Sequence, residues 1–563
     1  MCVEKFLLYN TFMFDRIINN ITSLKISISN WTIAFVGVVF MRFFLEFFSN
    51  PSYYGGSITS DASTLIHYAL FYFVTLISIV LVVWYLSKRK PGLQNLFLFG
   101  LPLIWLSPVI DILFSSGKGF VMTYMFDAGP KLLLAFLTFF GPKFNYGATI
   151  GIRIEIFVIL CFIGFFVWQV RRKFWPVILA VVFSYTIIFV FYSIPGVIYT
   201  ISHIKNLQLS YQTEVTDFLQ RSIVNSNIGQ NIQDGLVTYG SYNIFLEFGA
   251  NRLYSQIFFL LSFCLLGLWF FKTQKQKFLA VITNSRPERV LFYWLLVLAG
   301  LLGSFFLGFG VFRSWVDIMS LTTLLISWYG AWMFSVHTND IADIKIDSIT
   351  SLNRPIINNT LSVNDTKQTA IIWFLVSLVG SFVVGYYPFF MNIVFLSAYY
   401  IYSVPPLRFK KIPILSSFLI SIACLSSIVA GFFFLSADKN FTIFSPILAL
   451  GIMLVFTLGV NIRDIKDVAG DKEDDILTLP VLFSRNGEKI VATLFAISFL
   501  LIPFIISFYT LYIIAIPTAF IGYKMVLRKP YKEKYVFAVC FSFFFITVLF
   551  ISSLLLFAQH LHF

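Results

Sequence analysis

Aspartates recur in this chain at a spacing that suits a shared ligand. Asn339-Asp340 is followed by Asp343 and Asp347, and Asp464 is followed by Asp467 and Asp471. Intervals of three and seven residues bring each set within about 60° on one helix face. Carboxylates held that close repel, and each raises its neighbours' pKa until something positive joins them. A hard divalent cation with oxygen ligands relieves the repulsion, and Mg2+ commonly completes its shell with phosphates. Taken singly, either set reads equally well as the solvated end of a membrane helix. Two sets with identical spacing, each just beyond an apolar run, favour paired metal sites facing one diphosphate.

The elements that must carry these residues are membrane helices. Apolar residues make up 58% of the 563, charged residues only 12%, and mean hydropathy is +0.86. No soluble globule hides that much apolar surface, so lipid must solvate much of the chain. Apolar runs of spanning length number about 15, six ahead of residue 272 and nine after residue 289. The expected fold class is therefore all-α, a polytopic transmembrane helical protein. Leu132–Phe140 is too short to span and reads as re-entrant. Ser202–Arg252, the longest non-spanning segment, allows short amphipathic helices.

The net charge of +14 sits in short clusters between apolar runs, such as Lys88-Arg89-Lys90, Arg171-Arg172-Lys173 and Arg528 to Lys534. With the N-terminus inside, one threading puts most of them on the cytoplasmic side. That threading, made without the aspartates, places both aspartate sets on the same side. No basic stripe interleaved with aromatics is present, which argues against nucleic acid. Of five cysteines, four fall inside apolar runs and none makes a close pair, so neither a disulfide framework nor a Cys metal site is expected. Met1–Lys25 lacks the layout of a cleaved signal peptide. A polar, basic stretch at 272–289, carrying Pro287, reads as a linker between residues 1–271 and 290–563. In the first part, Arg42 and Glu46 share a helix face at a four-residue spacing and Asp111 lies in another span. Charge inside a membrane is a functional signal by default, but a self-neutralising Arg42–Glu46 pair and an Asp111 near the interface are the plainer reading.

At its motifs the second part resembles the UbiA superfamily of intramembrane prenyltransferases. The first, NDxxDxxxD, runs from Asn339 to Asp347 and continues to Asn353-Arg354-Pro355-Ile356. The second, DxxDxxxD followed by TLP, is matched by Asp464, Asp467, Asp471 and Thr478-Leu479-Pro480. Between them Tyr402-Ser403-Val404-Pro405-Pro406-Leu407-Arg408-Phe409-Lys410 is similar to the family's YSxPPxRxK loop. The resemblance covers 290–563 and implies a nine-helix bundle. It implies two Mg2+ ions, one held by Asn339, Asp340, Asp343 and Asp347, the other by Asp464, Asp467 and Asp471. Asp340, Asp343, Asp464 and Asp467 would carry the catalytic burden. Arg354, Arg408 and Lys410 would grip phosphate oxygens, with Asn339 and Lys466 beside them; ordinary positive-inside loops are the plainer reading of these cations. Two positions depart from the family: Ile357-Asn358-Asn359 replaces Pro-x-Gly, and Asp475 replaces a Gly. Asn tolerates left-handed backbone, so the first turn can survive.

The implied activity is Mg2+-dependent transfer of a polyprenyl group, of geranylgeranyl type, from its diphosphate to a lipid-precursor acceptor such as a glycerophosphate. An aromatic or chlorin ring is the alternative acceptor. A reading of another class is a lipid-handling or transport protein that uses the bundle as a scaffold; six intact aspartates argue against it. The expected location is the cell membrane, multi-pass, with the site at the cytoplasmic face. No family resemblance is evident for 1–271.

Overall fold

The computed structural model describes residues 2–49, 62–88, 91–114, 123–141, 148–204, 212–227, 242–474 and 476–561. Among them the regular structure is helical, with no β-strand. Among the described residues thirteen helices are long and apolar enough to cross a membrane, six ahead of residue 274 and seven beyond it. Two further helices, Trp315–Ala342 and Tyr386–Ser403, cover the remaining runs read as spans from the sequence. The protein is an all-α integral membrane protein. Asp475, which stands in place of a Gly, and residues 228–241 lie outside the described residues.

The chain forms two compact units, Met1–Thr273 with Ser314–Val316, and Gln274–Arg313 with Asp317–Phe563. In the first, the short apolar run forms the eight-residue helix Pro130–Leu137, and Gln212–Val224 is helical within the long polar segment. Arg42 and Glu46 do pair, Nε to Oε1 at 2.6 Å. Arg42 Nη1 also donates to Glu155 Oε2 at 2.6 Å and to the carbonyl of Ile104. Tyr68 Oη donates to Glu46 Oε2 at 2.7 Å. Asp111 is buried and fully engaged. It accepts from the Gly151 amide at 2.8 Å and Thr149 Oγ1 at 2.6 Å, while Thr149 caps the helix Ile150–Arg171. These intramembrane charges therefore tie helices together.

The second unit packs its helices by close approach. A Cβ on Gly300 would lie 1.8 Å from the Ile428 carbonyl oxygen, and one on Gly431 1.8 Å from that of Val297. Without side chains there, helices Pro287–Phe306 and Leu415–Leu435 meet backbone to backbone, as small residues permit in lipid. Buried polar groups lock neighbouring helices: Trp328 Nε1 donates to Ser427 Oγ at 2.8 Å, and Asn392 Nδ2 to Ser327 Oγ at 3.2 Å. Ser362 and Asp365 form a capping box that starts Val363–Val384.

Both aspartate sets sit where a spanning helix breaks into a short one. Trp315–Ala342 ends at Asp343, which precedes the helix Ile344–Thr350. Pro446–Gly459 runs into a 3-10 turn, Val460–Ile465, and Asp467 precedes Val468–Glu473. The continuous helix face expected from the spacing is thus interrupted at the middle aspartate of each set. The two short helices touch through Gly470, where a Cβ would come within 2.7 Å of Ile346 Cγ2.

Candidate active site

One cavity collects most of the residues singled out by spacing and motif. Asn339, Asp343, Asp347, Arg354, Lys410, Asp464, Lys466, Asp467 and Asp471 line it. Asp340 and Arg408 do not, although both bond to residues that do. Arg286, Arg289 and Arg463 add positive charge to the wall, and Trp332, Tyr399 and Tyr402 add aromatic faces.

The first aspartate set is met by protein cations. Asp340 accepts from Asn284 Nδ2 at 2.7 Å, from Arg286 Nη2 at 3.0 Å and from Arg354 Nη1. Asp343 accepts from Arg408 Nη2 at 3.0 Å and from Lys410 Nζ. Asp347 Oδ2 lies 3.0 Å from Arg354 Nη1 but makes no hydrogen bond, leaving a buried carboxylate oxygen short of a donor. Burial, opposed by Arg354 and reinforced by Asp340 and Asp343, pushes the Asp347 carboxyl up to about 7. Burial and the neighbouring Arg354 bring the Arg286 guanidinium down to about 10. Asn339 Oδ1 accepts from Ser403 Oγ at 2.9 Å, joining the first motif to the middle loop.

The second set has few partners. Asp464 lies 4.0 Å from Arg463 Nη2, and Asp471 accepts one long bond from Thr478 Oγ1 at 3.4 Å. Among the described residues no ion pair or side-chain hydrogen bond reaches the Asp467 carboxylate. Burial first, then Asp464 and Asp467, push the Asp471 carboxyl up to about 7.

The middle loop links the two sets. Arg408, left-handed at φ 42°, spans from Asp343 to Asp474, with Nη1 2.8 Å from Asp474 Oδ2. Lys411 Nζ donates to the Asp474 carbonyl at 3.0 Å. Asn359, at the position where Gly is usual, adopts φ 58°, the left-handed geometry expected of it.

Several site residues escape sequence reasoning. Asn284 and Arg286 belong to the stretch read as a linker, yet Lys275–Thr283 is helical and both residues reach Asp340. Arg286-Pro287, a cation just ahead of a span, was the available signal. Asp474 and Glu533 are met only through long-range ion pairs.

The donor set suits a hard divalent cation. It is made of carboxylate oxygens, with Asp347 Oδ2 short of a donor and the second set short of positive charge. No group of three or more acidic, His or Cys side chains converges on one point among the described residues. Mg2+ does not need one, since it is commonly held by one or two carboxylates with water and phosphate completing the shell.

Comparison with known proteins agrees with the sequence motifs. Residues 296–554 match the model of the UbiA prenyltransferase family. Digeranylgeranylglyceryl phosphate synthase of Sulfolobus acidocaldarius is 26% identical over 220 residues, 38% of this chain and 76% of that protein. Its counterpart in Methanocaldococcus jannaschii is 24% identical over 227 residues, 39% and 77% of the two chains. Homogentisate phytyltransferase of Synechocystis is 28% identical over 173 residues, 28% and 56% of the two. A solved UbiA homolog from Archaeoglobus fulgidus, bound to GPP and Mg2+, aligns with 48% of this chain and 97% of its own at 18% identity and a TM-score of 0.38. The family match thus falls within the second unit.

Proposed function

We propose that the second unit transfers a polyprenyl group, of geranylgeranyl type, from its diphosphate to a prenylated glycerophosphate, with Mg2+ as cofactor and the cavity open to the cytoplasmic face. The observation that carries this reading is the single cavity lined by carboxylates of both motifs, by arginines and lysines, and by three aromatic side chains. Asn339, Asp343 and Asp347 would hold one ion, with Asp340 behind them, and Asp464, Asp467 and Asp471 the other. Bound there, Mg2+ would neutralise charge on the diphosphate and so ease its departure.

The protein's own groups account for the rest. Arg354 and Lys410 present N–H donors to phosphate oxygens. Ionisation breaks the bond between the allylic carbon and the diphosphate oxygen, which keeps the electron pair. The allylic cation then faces the rings of Trp332, Tyr399 and Tyr402, whose π clouds favour positive charge. An acceptor hydroxyl oxygen closes the new bond and passes its proton to the departed diphosphate.

The glycerophosphate acceptor follows the two archaeal synthases, each matched over more than two thirds of its length. A ring acceptor is the second reading, favoured by the Synechocystis relative. Purified protein given labelled geranylgeranyl diphosphate and Mg2+ should release pyrophosphate and prenylate the glycerophosphate acceptor. Prenylated homogentisate instead would select the ring reading. No pyrophosphate with any acceptor would return the protein to the transport class.

A further inference from the structure

Two cations on the cavity wall share one carboxylate that does not itself line the cavity. Arg289, in the first turn of helix Pro287–Phe306, and Lys466, between Asp464 and Asp467, both face the cavity. Glu533, the first residue of the helix Glu533–Leu561, lies behind them. Arg289 donates to Glu533 Oε1 from Nε at 3.0 Å and from Nη2 at 2.5 Å. Lys466 Nζ donates to Oε2 at 2.7 Å. Each carboxylate oxygen therefore serves one cation. Glu533 and Arg289 are about nine-tenths buried, whereas Lys466 is one-third exposed.

We infer that Glu533 is a positioning residue for the diphosphate, fixing Arg289 and Lys466 side by side on the cavity wall. Three features support it. Two cations on one wall repel, and a carboxylate between them removes the reason for either side chain to swing away. The carboxylate is itself well anchored: it sits at a helix N-terminus, where negative charge is favoured. The segment leading into that helix is pinned too, because Tyr531 Oη donates to the Ile462 carbonyl at 2.8 Å, within the 3-10 turn that carries Asp464. With one carboxylate against two cations, the trio keeps a net positive charge to offer a polyanion. Helices Pro287–Phe306 and Glu533–Leu561 thus meet beside the second aspartate set, through a carboxylate far along the chain from every motif.

This inference rests on the diphosphate reading, and one experiment separates the two. Binding of inorganic pyrophosphate with Mg2+ is measured calorimetrically on the full chain, together with KM and kcat for the prenyl diphosphate. Glu533→Gln leaves one oxygen acceptor and turns an amide N–H toward a cation. Pyrophosphate affinity should fall about tenfold, as for loss of a charge-assisted bond. KM should rise in parallel with little change in kcat, a split that general loosening of the fold does not produce. In a Lys466→Met background the same substitution should weaken binding by clearly less, because part of its effect passes through Lys466. Lys466→Met alone leaves the Arg289–Glu533 pair intact and should weaken binding severalfold, which keeps the test open if Glu533→Gln fails to fold. Unaltered pyrophosphate affinity in Glu533→Gln, or in Lys466→Met where that alone can be measured, overturns the role of Glu533. Wild-type protein that binds no pyrophosphate would instead overturn the diphosphate reading itself.

Discussion

The two aspartate sets share spacing, chain context and cavity, but they differ in what neutralises them. Asp340, Asp343 and Asp347 are met by Arg286, Arg354, Arg408 and Lys410. Asp464, Asp467 and Asp471 have one arginine at 4.0 Å and one hydroxyl at 3.4 Å. Buried carboxylates without partners are costly. The contrast therefore assigns different work to the two sets. The first doubles as a structural junction, tying the junction segment and the middle loop to the spanning helix. The second has little structural return for its charge, which makes it the stronger claimant for a metal ion.

The largest expected effect is that of metal removal. Thorough chelation with EDTA should abolish prenyl transfer, and added Mg2+ should restore it. Full turnover in chelated protein would sink the metal reading for both sets at once.

Substitution should then separate the sets by stability rather than by activity. Asp343→Asn leaves Arg408 and Lys410 facing a neutral amide and should cost about 3 kcal/mol of stability, as for a broken buried ion pair. Asp467→Asn breaks no such pair and should shift stability by no more than about 0.5 kcal/mol. Thermal or denaturant unfolding in detergent reads both. Equal losses would erase the contrast.

Much of this site was legible in the sequence, for a physical reason. Spacing along a helix encodes local geometry, so the aspartates, the Arg42–Glu46 pair and the left-handed Asn359 were all readable. Chain direction and charge placed the motifs at span ends. What stayed hidden depends on pairs far apart in the chain. Glu155 reaches Arg42 from 113 residues away, and Glu533 reaches Arg289 from 244. The break at Asp343 and Asp467 was hidden too, because the same spacing fits an unbroken helix. Asn284 and Arg286 were concealed by composition: a polar, basic stretch looks the same whether it is a tether or part of a wall.

A smaller effect is the response to pH. Asp347 and Asp471 are held near 7, above the ordinary 3.8, so the folded protein binds protons that the unfolded chain has already released. Their contribution to stability is greatest below about pH 4 and is lost as pH rises toward about 7. Mg2+ should flatten this decline, because metal and proton compete for the same oxygens. Unfolding midpoints of metal-free wild type and the Asp347→Asn/Asp471→Asn variant, taken between pH 5 and pH 8, should converge at low pH. Parallel curves would mean that Asp347 and Asp471 do not set the pH response.

The smallest effect concerns the junction. A fragment beginning at Lys275 keeps Asn284 and Arg286 against Asp340 and should retain transferase activity. One beginning at Pro287 loses both donors and should fall by about tenfold, the worth of a charge-assisted bond. Similar activity in the two fragments would return this stretch to the status of a tether.

Whether both sets serve one diphosphate is read by a double-substitution cycle on turnover. With labelled geranylgeranyl diphosphate, Mg2+ and acceptor, Asp343→Asn and Asp467→Asn should each lower kcat by about 10²–10³, the loss expected for stabilisation of charge at a leaving group. Because the two serve the same leaving group, the double variant should fall well short of the product of the single losses. Near-normal turnover in both single variants, with folding intact, would mean that the two sets do not serve one leaving group.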